Sequence, residues 1–420
     1  MKNIEKIKNF NVQFTAPPSK AHTLRALAIA ALADGQSTIR RPLLADDQHN
    51  MMACLKQLGI NIQFTGDTII VTGNAGKFSP AGTELNVGES GVTMNFLTAA
   101  ACTADKPVIL TGSSRIQERP VDQIVDGMRQ LGCKIDYLKN QGCVPLKIHA
   151  GGIKGGRAKM FGQRSSQYFS AIAISAPLAQ NDCIVECVDD MTERPYFDIT
   201  LDMMGKFGVK AENKSYKTIV IPGRQKYWAR DITIEGDYSS ASFFFLAAAI
   251  CEAKINITGL TDNSKQGDKK FVDLLARMGC RIEHSANSIA LVGGKLNPII
   301  HDMSNVPDLV PPLAVAAAFA NGKSVFTNIG HLRHKESDRL AVVAEELKKM
   351  GITAYYDDDS LTVEGNPAGA KGTTIDPHND HRIAMSFAAA GLVTGNQQID
   401  NEKCVTKSFP DFWEKFEIFR

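Results

Sequence analysis

At 420 residues, with 47 Lys and Arg against 45 Asp and Glu and a net charge of +2, the chain exceeds the usual size of a single core and is expected to divide into two domains. Its opposite charges are interspersed rather than blocked, which argues against nucleic acid or a membrane surface as partner. No apolar run approaches the roughly 18–20 residues of a membrane span, and the start MKNIEKIK lacks a signal-peptide core, so a soluble cytoplasmic protein is expected.

Taken in chain order, one junction recurs: a polar loop rich in Gly, Ser, Pro or Asp runs straight into an Ala-rich apolar helix. It reads PPSKAHTLR at 17–25, GESGVTMN at 88–95, GQRSSQY at 162–168, GDYSSAS at 236–242, VPDLVPP at 306–312 and DPHNDHR at 376–382. Spacing of roughly 70 residues points to internal repeats. Helix starts carry unpaired N–H groups and partial positive charge, so with Lys20, Arg25 and Arg382 beside them they predict an anion-binding protein.

A second recurrence interlocks with the first, an amphipathic helix closing on Gly: MACLKQLG at 52–59, DGMRQLG at 126–132, DMMGKFG at 202–208, DLLARMG at 273–279 and EELKKMG at 345–351. Each Gly suits a helix C-cap, and the β-rich runs that follow, such as 60–72 and 352–364, hinge on turn residues as hairpins do. A sixth copy would start at 408–413, where the chain ends. Each unit therefore reads helix, strand, helix, strand, strand, giving an α/β protein of two pseudo-threefold halves. The halves are expected at 15–228 and at 1–14 plus 229–420, the first residues crossing over to complete the C-terminal half, with a binding cleft between them. No G-x-G-x-x-G follows a strand and no G-x-x-x-x-G-K-[ST] occurs, which disfavours a dinucleotide or P-loop fold.

Nine cysteines, an odd number, sit mostly in apolar segments and read as reduced core residues, Cys183 and Cys187 within a probable strand. His331/His334 and His378/His381 have a chelating spacing, but both pairs lie among Arg and Lys, so no metal is expected. KESDR at 335–339 stands before an amphipathic helix; a capped first turn accounts for Glu336 and Asp338 but not for Lys335 and Arg339, because cations there oppose the dipole. Arg119, before Pro120 at a helix start, Arg382 and Lys407 repeat that placement at helix N-termini.

Over its whole length the chain resembles the enolpyruvyl transferases. The carriers are SK…R at 19–25, ERP at 118–120, SSQ at 165–167, RPY at 194–196, PD at 307–308, KESDRL at 335–340, DHR at 380–382 and KSFPD at 407–411. The resemblance implies six βαβαββ units, three per domain, an active site in the interdomain cleft, and no metal or organic cofactor. It implies transfer of the enolpyruvyl group of phosphoenolpyruvate to the 5-hydroxyl of shikimate-3-phosphate, with release of phosphate; a monomer is expected. By family position, Lys20, Gly91, Arg119, Gln167, Arg339, Arg382 and Lys407 would hold phosphoenolpyruvate. Asp308, Glu336 and Lys20 would transfer protons, and Arg25, Ser165, Ser166, Gln167, Tyr196, Asp308, His331 and Lys335 would hold the acceptor.

The phosphoenolpyruvate side of the pattern is nearly intact, whereas Ala21, Glu89, Asn95, Glu193 and His331 depart from it. A carboxylate about 4 Å from a bound phosphate costs roughly 4 kcal/mol at an effective dielectric near 20, so Glu193 is expected to turn away or pair with Arg194. A related transferase with another acceptor is the second reading, given Ala21, Glu193 and His331. The sister class acting on UDP-N-acetylglucosamine fits less well: its LysAsn pair reads Lys20–Ala21 here, and 111–116 lacks its reactive Cys. A non-catalytic anion-binding homologue would not need Asp308 and Glu336.

Overall fold

The computed structural model describes residues 1–7 and 9–420. Contacts divide the chain into two compact units, a first of Met1–Pro17 with Glu235–Arg420 and a second of Pro18–Ile234.

Five four-stranded sheets share one order. In the sheet of Glu84–Asn86, Val108–Thr111, Leu146–Ile148 and Ile135–Tyr137, the first two strands are parallel and the last two form an antiparallel hairpin against them. Gly156–Met160, Cys183–Cys187, Thr218–Ile221 and Glu212–Lys214 repeat it, as do Ile300–Asp302, Gly322–Thr327, Ser360–Gly365 and Thr353–Tyr356. In these three sheets the parallel pair is joined by a buried helix, as parallel strands require a crossover.

In the other two sheets the parallel partner lies far away in sequence but in the same unit. Asn11–Thr15 precedes the first helix of the second unit in sequence, yet pairs parallel with Lys254–Thr258 of the first. Asp231–Thr233 pairs parallel with Asp34–Arg40 in the second unit, so the chain changes unit only after Ile234. The last sheet has three strands: Thr374–Ile375 lies parallel to Gln397–Ile399, and Lys2–Ile4 closes it antiparallel.

The Ala-rich helices are interior. Tyr238–Ile250 buries twelve of its thirteen residues, and the first unit packs it pairwise with Val310–Ala318 and His381–Thr394. In the second unit Gly91–Ala100 packs on Gln167–Ser175 and on Lys20–Leu32. A helix apolar all round is stable only when covered on every side, and alanines at the contacts let such helices approach closely. The amphipathic helices Asp46–Gln57, Asp122–Gln130, Arg194–Lys206, Lys270–Arg277 and Arg339–Lys349 bury one face and end before Gly59, Gly132, Gly208, Gly279 and Gly351. Those five glycines have φ of +89, +86, +88, +116 and +83°, the left-handed turn that ends a helix at low steric cost.

The termini are pinned in the first unit by aromatic packing. Phe14 stacks on Phe244 at 3.9 Å between centroids, and Phe412 and Phe416 meet Phe244 edge-on. The sixth amphipathic helix is reduced to Phe412–Phe416 followed by the turn Glu417–Phe419. Cys183 and Cys187 are buried in their strand, and all nine cysteines are free thiols. Among the described residues no helix is long and apolar enough to cross a membrane.

Candidate active site

In the second unit the helix Lys20–Leu32 starts on Ser19, whose hydroxyl caps the His22 N–H. That start aims Lys20 at Asp47, in the first turn of Asp46–Gln57, with Nζ 2.6 Å from Oδ2. Asp47 is nearly fully buried, so the ammonium compensates a carboxylate that burial would otherwise penalise. His22 faces inward; burial and then the neighbouring Arg25 charge push its pKa down to about 3, so the ring is neutral at working pH.

Arg25 is buried one turn further on. Its Nε donates to Thr200 Oγ1 at 2.7 Å, Nη1 to the Ala21 carbonyl at 3.0 Å and Nη2 to the Tyr196 carbonyl at 2.9 Å. The fork thus ties the first helix to the start of Arg194–Lys206 and fixes the backbone that carries Tyr196. Burial lowers its pKa to about 10, against the pull of Tyr196 and Glu193.

Gly91 opens the helix Gly91–Ala100 beneath Arg119: a β-carbon there would stand 2.7 Å from Arg119 Nη2. The missing side chain lets the guanidinium lie on the helix start. Asn95, on the same helix, donates to Gln167 Oε1 at 3.2 Å.

Ser165 and Ser166 precede the helix Gln167–Ser175 and both bind Glu193. Ser165 Oγ donates to its carboxylate at 2.6 Å, Ser166 Oγ to its carbonyl at 2.9 Å, and Ser165 Oγ in turn accepts the Gln167 N–H at 3.2 Å. Glu193 is 2% exposed and sits at φ +55°, a left-handed conformation uncommon for a side chain of this size. The expectation that it turns away is therefore corrected: its carboxylate points at Ser165, because the left-handed turn before Arg194 aims it inward. Arg194 Nε donates to the Met191 carbonyl, and its guanidinium lies over the Tyr216 ring.

The first unit holds a denser network. Arg339, the first residue of Arg339–Lys349, is 1% exposed and donates Nε to Asp380 at 2.7 Å, Nη1 to Asp308 at 2.8 Å and Nη2 to Glu336 at 2.9 Å. A guanidinium this deeply buried is tolerable only with such partners. Burial acts to lower its pKa, but Asp380, Glu336 and Asp308 together outweigh that and hold it above its ordinary value. Asp380 also accepts the Arg382 N–H at 3.0 Å and the Ser337 hydroxyl at 3.2 Å, capping His381–Thr394.

Arg382 Nη2 donates to the second oxygen of Asp308 at 2.8 Å, and Lys407 Nζ lies 3.2 Å from the second oxygen of Glu336. Asp308 thus bridges two guanidiniums, and Glu336 bridges a guanidinium and an ammonium. Lys407 ends the turn Glu402–Lys407 rather than opening a helix, since the chain bends at Ser408 before Phe412–Phe416 begins. His331 lies in the turn Gly330–His334, and Lys335 follows it, half-buried, next to Glu336. Among the described residues no group of three or more His, Cys, Asp or Glu is arranged to hold a metal ion.

The model of the family described as EPSP synthase (3-phosphoshikimate 1-carboxyvinyltransferase) matches residues 4–416. The chain belongs to the EPSP synthase family. A 3-phosphoshikimate 1-carboxyvinyltransferase of Methanoculleus marisnigri is 41% identical over 403 residues, 96% of this chain and 95% of that protein. One from Syntrophobacter fumaroxidans is 38% identical over 99% of each chain. A solved EPSP synthase of Acinetobacter baumannii superposes with a TM-score of 0.83 at 28% identity, covering 99% of this chain and 97% of that one.

For this EPSP synthase family member, sequence reasoning missed Asp47, Asp380 and Thr200, the partners of Lys20, Arg339 and Arg25. Asp380 carried a signal, standing where a helix cap should stand in the DPHNDHR junction. Asp47 and Thr200 carried none, lying 27 and 175 residues from the groups they meet.

Proposed function

We propose that this chain is a 3-phosphoshikimate 1-carboxyvinyltransferase: it transfers the enolpyruvyl group of phosphoenolpyruvate to the 5-hydroxyl of shikimate-3-phosphate and releases phosphate. Full-length membership of the EPSP synthase family supports the reaction. The observation that carries it to residues is the bonded network in which Asp308 joins Arg339 and Arg382 while Glu336 joins Arg339 and Lys407. Acid–base groups and anion-holding cations are thereby fixed in one array, as transfer between a hydroxyl and a phosphorylated enol requires.

We assign the phosphate and carboxylate of phosphoenolpyruvate to Lys20, Arg119, Arg339, Arg382 and Lys407, helped by Gly91 and Gln167; arginine forks suit both groups. Asp308 takes the proton of the acceptor hydroxyl as its oxygen bonds to C2. Glu336, with Lys20, delivers a proton to C3, giving a tetrahedral intermediate. Loss of one C3 proton and departure of phosphate then restore the double bond, so one enol ether and one phosphate form from the two substrates. Arg25, Ser165, Ser166, Gln167, Tyr196, His331 and Lys335 hold the acceptor in this reading. Arg25 acts there chiefly by fixing Tyr196, because its fork already bonds Thr200 and two carbonyls.

Lys20→Ala and Arg119→Ala test the assignment. Each removes a charge-assisted contact of about 1.5–3 kcal/mol, so KM for phosphoenolpyruvate is expected to rise on the order of tenfold to a hundredfold. Wild-type kinetics in both variants would refute the site map.

A further inference from the structure

The network around Arg382 continues past the residues assigned above. Its Nη1 donates to the hydroxyl of Ser239, the second residue of Tyr238–Ile250, while Nη2 holds Asp308. Ser239 is also hydrogen-bonded to Asp268, which is 3% exposed in the short turn Gly267–Lys269. Two carboxylates therefore flank one guanidinium, Asp308 directly and Asp268 through one hydroxyl. Asp237, whose charge also acts on Asp268, caps the same helix at 2.8 Å from the Ser240 N–H, and Glu235 accepts from Gln266, two residues before Asp268, at 2.7 Å. Lys269 donates to the Asp262 and Ser264 carbonyls at 3.0 Å.

We infer that Asp268 is a positioning residue for the reaction: it holds the proton of the Asp268/Asp308 pair while phosphoenolpyruvate is bound, leaving the charge of Arg382 to the anion. Two like carboxylates sharing a cation separate in their titration, and the proton goes to the one farther from water. Asp268 is that one, since Asp308 keeps a side-chain exposure of 16%. Burial, and then the Asp308 charge, push the Asp268 carboxyl up to about 7, against the pull of Arg382 and the Ser239 hydrogen bond. Ionised Asp268 would draw on Arg382 through Ser239 and add negative charge beside an anionic substrate. Binding the anion therefore favours protonated Asp268, and the proton comes from water. The inference rests on the assignment of Arg382 to phosphoenolpyruvate.

The test compares native enzyme with Asp268→Asn, which fixes the neutral form. KM for phosphoenolpyruvate in the native enzyme is expected to rise on the order of tenfold between about pH 6.5 and 8.5. In the variant that rise should vanish apart from the titration of the substrate's own phosphate, which both proteins share. Calorimetry with phosphoenolpyruvate in two buffers of different ionisation heat should show proton uptake near pH 7.5 in the native enzyme and less in the variant. Ser239→Ala supplies a second arm should Asp268→Asn fold poorly. Loss of the hydroxyl that favours the ionised form should move the KM rise to higher pH. Parallel profiles in native and variant proteins, all turning over, would overturn the role of Asp268 alone. Absence of phosphoenolpyruvate binding to folded native enzyme would overturn the functional reading with it.

Discussion

Replacing Glu193 with Gln should tighten the phosphorylated acceptor. The carboxylate stands 2.6 Å from Ser165 Oγ, in a site 2% exposed. A phosphate accepting that hydroxyl would place an oxygen about 2.7 Å from Oγ, hence within about 5 Å of the Glu193 carboxylate. At an effective dielectric near 20, two unit charges at that distance repel by about 3 kcal/mol, roughly two orders of magnitude in affinity, and water entering with the ligand would reduce this toward tenfold. Gln keeps the side-chain volume, can donate its amide N–H to Ser165 Oγ and so leaves the hydroxyl proton for the phosphate, does not disturb the left-handed turn, and removes the charge. The assay is KM for shikimate-3-phosphate at saturating phosphoenolpyruvate, read by phosphate release, with unphosphorylated shikimate alongside. The Gln variant should lower KM for the phosphorylated acceptor tenfold or more and leave the unphosphorylated one little changed. An unchanged ratio between the two, or weaker binding of the phosphorylated acceptor, would refute the placement of the acceptor phosphate at Ser165.

Gly91→Ala should raise KM for phosphoenolpyruvate on the order of tenfold, because its β-carbon would meet Arg119 Nη2 at 2.7 Å and push the guanidinium off the helix start. The clash falls on the guanidinium of a flexible side chain rather than on backbone, so unfolding should shift by less than about 1 kcal/mol; an unchanged KM would contradict the contact. Arg339→Met leaves Asp380, Asp308 and Glu336 without their shared cation and should cost about 3–5 kcal/mol in urea unfolding, with Lys recovering only part of it. A loss below about 1 kcal/mol would mean that the network is not structural. His22 resists protonation in the fold down to about pH 3, whereas the unfolded chain takes up the proton near 6.5. Stability should therefore fall as pH drops from 6.5 toward 3, by about 2 kcal/mol at pH 5 from this residue. His22→Gln should flatten that slope, and identical acid unfolding in both proteins would exclude the effect.

Periodicity made much of the architecture legible. The glycines closing 52–59 and 345–351, and the turn residues within 60–72 and 352–364, are local signals, and each marks a helix end or hairpin in the structure. The return of Asp231–Thr233 to Asp34–Arg40 was not legible, because a three-residue strand chooses its parallel partner through tertiary packing. KSFPD carries Pro and Asp, residues that open helices elsewhere in the chain, yet Lys407 ends a turn instead of starting a helix. The cations were legible as an anion trap, yet Lys20, Arg339, Arg382 and Lys407 each engage a carboxylate. Those partners lie up to 74 residues away along the chain, beyond any local pattern. Glu193 stands out in the sequence as a departure, but the inward aim of its carboxylate depends on a left-handed backbone that no residue type announces.

The most direct measurement mixes the purified protein with phosphoenolpyruvate and shikimate-3-phosphate and follows inorganic phosphate together with the enol ether product. Equal amounts of phosphate and enolpyruvyl product, formed without added metal or organic cofactor, are the predicted result. No phosphate from folded protein, while a control EPSP synthase turns over in the same mixture, would contradict the proposed acceptor and with it the central claim.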